Sequence, residues 1–359
     1  MAKDLDDLRR EIDAIDSELL RLINQRAAVA IEVGEVKRAS PQDATFYRPE
    51  REAAILRGIS ERNPGPLSTA DATRIMRETM SACLALERQL RVAYLGPEGT
   101  YTHLAALKHF GGSIIGVGVP SIEDVMREVE AGSAGFGVVP VENSLEGGIN
   151  QTLDALRESS LKVCGEVVLG IHHQLLSVAS DLREINYVYA HAQALGQCRR
   201  WLTAHLPSAE IIPVSSNAEA ARRVQSQTDS AAIASDVAAE IYELEILHKN
   251  IEDDPGNTTR FAVIGKQYPA PSGKDVTSIM FTMPNRPGAL SEILNVLAGE
   301  GISMTRIESR PLRQETWDYV FFVDIEGHVE VENINNAIAL LEAKTSRLKI
   351  LGSYPRAIT

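Results

Sequence analysis

"LLRLINQRAAVAIEVGEVK", residues 19–37, carries the middle of a long apolar stripe with one residue out of place. Upstream, apolar side chains recur at Leu8, Ile12, Ile15, Leu19 and Leu22, the 3-4 spacing of one helix face. The next position of that alternation is Arg26, after which Val29, Val33 and Val36 resume the stripe. From Lys3 to Ser40 there is no proline and a single glycine, Gly34, so one helix of roughly 50 Å is expected. A helix of that length needs a partner along its whole length. A cation on its apolar face can snorkel, pair with a carboxylate across an interface, or serve a ligand.

The rest of residues 1–90 is also read as helical. "SPQDATFYRPERE" breaks the first helix at Pro41, a second runs from Pro49 to about Arg62, and "NPGPLS" is a loop. A third helix starts after an N-cap at Ser68 or Thr69 and runs through Leu90. At Val92 the texture changes. Short apolar runs ending in glycine or polar residues ("RVAYLG", "GVGVP", "GFGVVPV", "VCGEVVLG", "YVYAH", "IIPVSS", "SAAIAS", "TRFAVIG") alternate with helical stretches, the pattern of an α/β fold with parallel strands. "KQYPAPSGKD" reads as a linker. From Val276 the order is βαββαβ, a ferredoxin-like α+β unit.

Bulk composition narrows the function classes. The chain has 359 residues, enough for two or three domains, with 44% hydrophobic and 24% charged residues. A net charge of −13 argues against nucleic acid or an anionic membrane as the main partner, and requires any anionic substrate to meet a local cationic pocket. The three cysteines, Cys83, Cys164 and Cys198, are too widely spaced for structural zinc. The charged N-terminus lacks an apolar signal region and no apolar run reaches about 18 residues, so a reducing cytoplasm is the expected location.

Lys37 sharpens the question posed by Arg26. Eleven residues is about three helical turns, so the two cations share a face. Arg9 lies about 4.7 turns from Arg26 and misses that face, but a second copy of the helix could bring it there. Arg51 on the following helix could complete the set. Four cations around a water-poor interior call for a diacid, and with no nucleophile or metal cluster beside them they suit a unimolecular rearrangement. "LRREIDAIDSELLRLINQRAAVAIEVGEVK", "YRPERE" and "RETMSACLALE" resemble the all-helical chorismate mutases. That resemblance implies that Arg9 (from the partner chain of a homodimer), Arg26 and Arg51 bind the substrate carboxylates. It implies that Lys37 supports the ether oxygen and Glu52 receives the ring hydroxyl. Glu87 stands where many members carry glutamine, Cys83 where some carry serine, and Arg48-Pro49 where some have an acidic residue. A burial-raised Glu87 implies mutase activity that fades as pH rises.

In the α/β region, "YLGPEGTYTHLAALKHF" sets a glycine-rich turn before a helix start, with Thr100 and Thr102 as hydroxyl donors. It is neither a P-loop nor a dinucleotide fingerprint. "VVPVENSLEGG" ends a buried strand in Glu142, Asn143 and Ser144. "NTTRF", residues 257–261, sets two threonines and an arginine ahead of another strand, His191 closes "YVYAH", and Asn217 is read as a helix cap. The adjacent His172-His173 is assigned no role. Together these stretches closely resemble prephenate dehydratases, whose fold is two α/β lobes like a periplasmic binding protein. The resemblance implies a cofactor-free loss of the ring carboxylate and 4-hydroxyl from prephenate. It further implies that Thr259 assists the leaving hydroxyl, that Arg260 anchors a carboxylate, and that Thr100, Thr102, Glu142, Asn143, Ser144, His191 and Asn217 line the cleft.

"NRPGALSEIL" and "ESRP" resemble the ACT regulatory domain, in which phenylalanine binds between two copies. The implied contacts are Asn285, Gly288, Ala289, Leu290, Glu308, Ser309 and Arg310. The expected boundaries are 1–91, 92–268 (lobes of about 92–170 with 250–268, and 171–249) and 276–359. The whole reads as a bifunctional, phenylalanine-inhibited enzyme that takes chorismate to prephenate and prephenate to phenylpyruvate. The alternatives are a dehydratase, for prephenate or arogenate, with a silent helical domain kept for dimerisation, and a ligand sensor built from binding-protein-like lobes.

Overall fold

The computed structural model describes residues 4–39, 45–283, 286–311 and 319–357. The chain divides into two compact units, residues 1–90 with 110–115, and residues 91–109 with 116–359.

The first unit is built on helices α1 (Leu5–Ala39), α2 (Pro49–Arg62) and α3 (Thr69–Glu87). Pro49 opens α2 where its missing N–H would be unpaired anyway. Of the two candidate caps, Ser68 caps α3, its hydroxyl accepting the Asp71 N–H at 3.0 Å. The helix ends at Glu87 rather than Leu90. Helix α1 is one uninterrupted rod, and its buried residues are Ala30 and Gly34. At Gly34 the α3 backbone comes close: a Cβ there would lie 3.1 Å from the Cα of Glu87. The rest of the stripe is uncovered in one chain, with Leu8, Ile12, Ile15, Leu19 and Leu22 between 43% and 57% exposed. Arg26 is exposed as well, so the water-poor interior expected around it is not made by one chain's described residues alone. Its burial would require a body that one chain's described residues do not supply.

The second unit holds three sheets. The first contains β1 (Arg91–Leu95), β2 (Ile115–Val119), β3 (Phe136–Asn143), β4 (Gly147–Gly148) and β5 (Lys162–Gly170), with helices α4 (Tyr101–Phe110), α5 (Ile122–Ala131) and α6 (Asn150–Glu158) between them. The second contains β6 (Gln174–Ser177), β7 (Tyr187–His191), β8 (Glu210–Val214), β9 (Ser230–Ala234) and β10 (Glu245–His248), with α7 (Ala192–Gln197), α8 (Arg199–His205), α9 (Asn217–Val224) and α10 (Asp236–Ile241). Strand β11 (Thr258–Gly265) then returns to the first sheet, giving the order β2-β1-β3-β11-β5. The third sheet, β13-β14-β12-β15, is made by β12 (Asp275–Thr282), α11 (Ala289–Gly299), β13 (Met304–Pro311), β14 (Tyr319–Glu326), α12 (Glu332–Glu342) and β15 (Arg347–Pro355), in the expected βαββαβ order.

The first two sheets are mixed rather than parallel, and the third is antiparallel. β1 and β3 run parallel, as do β7 with β8 and β9, but β11 is antiparallel to both its neighbours and β6 is antiparallel to β9 and β10. The short strands β4, β6 and β10 carry too few residues to show a period in the sequence. The first and third sheets share one core, in which Val141, Leu153 and Ala262 meet Met280, Phe322 and Leu351.

Gly352 marks the closest approach within that core, because a Cβ there would fall 2.1 Å from the Val163 carbonyl oxygen. Backbone cannot yield as a flexible side chain does, and overpacking costs about 1–3 kcal/mol. Gly352→Ala should lower the thermal midpoint of the second unit by several degrees in calorimetry and leave that of the first unit in place.

Candidate active sites

A cavity of about 380 Å³ opens in the first unit. That is the size of a small-molecule pocket. Its lining brings together Arg26, Lys37, Arg51, Glu52, Cys83 and Glu87, with Arg48 beside them. Arg9 is absent from it: its guanidinium lies 3.3 Å from Asp6 on an exposed stretch of α1. Lys37 extends across to α3, its Nζ 2.8 Å from Glu87 Oε2, and also donates to the Phe46 carbonyl at 3.2 Å. The carboxyl that burial pushes up is that of Glu52, to about 7, against the opposing charge of Arg77 and a hydrogen bond from Tyr47. Glu87, which the sequence reading took as the burial-raised acid, lies 2.8 Å from the Lys37 ammonium.

Two contributors escaped the sequence reading. Arg77 comes within 3.7 Å of Glu52. It sits ten residues before Glu87, about 2.8 turns and so well round the helix from it, and helical spacing does not single it out. Tyr47 is buried and holds Glu52 from the segment before α2. No local period marks it.

The second site forms where β11 pairs with β3. Thr259 lies opposite Asn143 in register and both are buried. The Asn143 amide donates to Thr259 Oγ1 at 2.9 Å and to Asn257 Oδ1 at 2.8 Å. Its carbonyl accepts the N–H groups of Leu145 and Glu146. Asn143 is thus held at both ends, and because it occupies a lone pair of Thr259, the hydroxyl hydrogen stays free to serve an outside acceptor. Behind it, Asn257 donates to Gln197 Oε1 at 3.1 Å, and His173 Nε2 lies 2.8 Å from the same oxygen. Burial pushes the His173 imidazole below its ordinary value, favouring the neutral ring that this contact uses as a donor. Gln197 and His173 were missed because Gln197 meets Asn257 across 60 residues of chain, and no local pattern marks that contact.

Other expected residues build the frame. Ser144 Oγ accepts the Thr258 N–H at 2.9 Å. Thr100 donates to the Leu95 carbonyl and accepts the His103 N–H, fixing the start of α4, on which Thr102 is buried. His191 caps α7 through Nδ1, and its own N–H donates to Asn217 Oδ1 at 2.8 Å. Asn217 is not itself the cap. Ser216, in an extended conformation, caps α9 by accepting the Glu219 N–H.

Arg260 and Glu142 do not join Thr259. Successive strand residues face opposite ways, and these two meet on the far face. Arg260 Nη2 lies 3.0 Å from Glu142 and 2.8 Å from Asp324 of β14, with Glu166 at 3.6 Å from Nη1. Arg306 of β13 adds a second guanidinium 3.3 Å from Glu142. The expectation that Arg260 and Glu142 contact substrate is therefore corrected: their charge is spent on each other and on the third sheet. Arg310 likewise contacts Asp154 at 3.0 Å and the Asn150 carbonyl, and Glu308 comes close to Gly148. Ser309 is exposed. Gly288 takes the left-handed conformation before α11 (φ 84°), followed by buried Ala289 and half-buried Leu290. Asn285 lies outside the described residues. Among the described residues no cluster of three or more His, Cys, Asp or Glu could hold a metal ion.

Three regions of the chain match known families: residues 8–88 the type II chorismate mutases, 92–269 prephenate dehydratase and 277–339 the ACT domain. A bifunctional chorismate mutase/prephenate dehydratase of Stutzerimonas stutzeri is 52% identical, the match covering 99% of each chain. Among solved structures, a prephenate dehydratase from Arthrobacter aurescens in complex with L-Phe is 33% identical with a TM-score of 0.69, covering 75% of this chain and 90% of its own. A structure described as GqqA, a quorum-quenching acylase, is 31% identical with a TM-score of 0.68, covering 74% of this chain and 98% of its own. With half its residues shared end to end, and with the helical pocket, the Thr259–Asn143 pair and the βαββαβ sheet following in that order, the chain belongs to the family of bifunctional chorismate mutase/prephenate dehydratases.

Proposed function

We propose that the chain rearranges chorismate to prephenate in the helical pocket, converts prephenate to phenylpyruvate beside Thr259, and is inhibited by phenylalanine at its third sheet. The three parts are residues 1–91, 92–268 and 276–359. The observation that carries the reading is the gathering of Arg26, Lys37 and Arg51 into one cavity within a strongly acidic chain. Arg26 and Arg51 take the two carboxylates of chorismate, Lys37 faces the ether oxygen whose bond breaks, and Glu52 accepts the ring hydroxyl. Holding the compact conformer and stabilising the separating charge is the whole of the catalysis.

Helix α1 supports a homodimer. Its exposed stripe is an apolar face that the described residues of one chain leave uncovered, and Arg9 is too far round the helix to serve its own pocket. Two α1 helices packed together cover both stripes and deliver each Arg9 to the other chain's Arg26. In the second reaction, the electron pair released with carbon dioxide enters the ring and expels the 4-oxygen, which leaves as water after gaining a proton. Thr259 donates a hydrogen bond that strengthens as charge grows on that oxygen. The free, buried cysteines suit a reducing cytoplasm. Phenylalanine as the inhibitor is supported by the L-Phe complex of the Arthrobacter aurescens relative. Gly288, Ala289 and Leu290 are the contacts proposed for it.

Three outcomes test this reading. Arg9→Ala and Arg26→Ala should each lose about 10–100-fold in mutase kcat/KM, the worth of a charge-assisted hydrogen bond. Mixing the two impaired variants through unfolding and refolding should bring the rate to about a quarter of the parent's, since half the dimers are mixed and each carries one intact site. Recovery of nothing would place both arginines in one chain's pocket. Thr259→Ala should reduce phenylpyruvate formation by about 100-fold or more while mutase turnover persists; absorbance assays started from each substrate separate the two. Finally, Glu52 accepts best as a carboxylate, so mutase kcat/KM should rise with pH through about 7. Glu52→Gln should flatten that limb, the reverse of the fall expected from a protonated Glu87.

A further inference from the structure

The helical pocket has a wall that does not come from α1, α2 or α3. Phe110, the last residue of α4, lines the cavity and is 4% exposed. By sequence it falls within residues 92–269, the stretch that matches prephenate dehydratase, yet residues 110–115 group with the helical unit. The placement is fixed by backbone. The Gly112 N–H donates to the Glu78 carboxylate at 2.9 Å, and the Ser113 N–H donates to Ser81 Oγ at 3.2 Å. Gly111 takes a positive φ of 76° so closely against α3 that a Cβ would fall 2.5 Å from that of Ser81.

The Phe110 ring packs on the ring of Tyr47, with centroids 5.2 Å apart and planes tilted by 53°. Tyr47 in turn hydrogen-bonds the Glu52 carboxyl. Tyr47 precedes α2 at an N-terminus whose Arg48 makes no side-chain cap, so the tyrosine has aromatic packing in place of a helix to hold it.

We propose that Phe110 is a positioning residue of the mutase site, acting through Tyr47 to hold Glu52 toward the substrate's ring hydroxyl. The inference rests on the mutase reading of the pocket. One part of the chain then completes the active site of another, and the first reaction depends on a segment whose sequence belongs with the second.

The test uses the full-length chain, with dehydratase turnover as an internal control. Phe110→Ala should lower mutase kcat/KM about tenfold and leave prephenate conversion within twofold of the parent. Its second signature is the pH profile. Losing the Tyr47 hydrogen bond disfavours the Glu52 carboxylate, so the rising limb near pH 7 should move upward. Lys37, Arg26 and Glu87 share the cavity and Arg77 touches Glu52, and all four are unchanged in this variant. Tyr47→Phe should show the same displaced limb, and Phe110→Ala combined with it should add less than the product of the separate losses. Phe110→Leu, which keeps bulk if not the aromatic edge, should recover part of the rate. A Phe110→Ala enzyme with parental kcat/KM and an unmoved pH profile overturns the proposal, as does one that loses both activities together. A parent with no mutase turnover overturns the mutase reading, and the proposal with it.

Discussion

The antiparallel insertion of β11 between β3 and β5 is the constraint on which the second unit's chemistry depends. Its register pairs Thr259 with Asn143 and Arg260 with Glu142. Adjacent residues of one strand face opposite ways, so a single backbone alignment assigns a hydroxyl to one face and a guanidinium to the other. A shift of one residue would exchange them. The face of Thr259 is lined by amides, which hold a neutral hydroxyl without ionising it. The face of Arg260 is lined by Glu142, Glu166 and Asp324, which makes it a joint with the third sheet. Burial opposes the guanidinium's charge and those carboxylates outweigh it, raising its affinity for the proton. Strand β11 therefore carries the Thr259 hydroxyl on one face and a charged contact with the third sheet on the other.

The helical unit solves a different electrostatic problem. The chain is acidic overall, but cations from α1 and α2 converge on one cavity, with Lys37 joined to Glu87 and Glu52 sunk deep enough to hold its proton near neutrality. A dianion entering such a place meets positive charge already gathered on one side of a cavity, so little reorganisation remains for the moment of reaction.

How much of this was legible depended on range. The unbroken α1 follows from its stripe and the absence of proline, and Arg26, Lys37, Arg51, Glu52, Cys83 and Glu87 do share one cavity. Helix spacing along α1 gave Arg26 and Lys37, and the family resemblance of "YRPERE" and "RETMSACLALE" supplied Glu52, Cys83 and Glu87. What failed was anything decided by contacts far apart in the chain. Arg260 looked like a substrate anchor because it adjoins Thr259, and only the packing of β13 and β14 shows where its charge goes. Tyr47, Gln197 and His173 acquire their places from tertiary neighbours, and no local pattern singles them out. The exposure of Arg26 in one chain had a sequence signal, since a rod about 50 Å long cannot cover its own apolar face.

The seam at Phe110 bears on how the protein can be taken apart. A fragment ending at Leu90 would retain every helix that defines the first unit and the cavity's cations Arg26, Lys37, Arg48 and Arg51. It would discard the aromatic ring behind Tyr47 and the two backbone donors that tether it to α3. Kinetic constants measured on such a fragment would describe a chamber with one side open to water. For the same reason, a genome that divided this gene at the apparent boundary would have to rebuild that side from elsewhere.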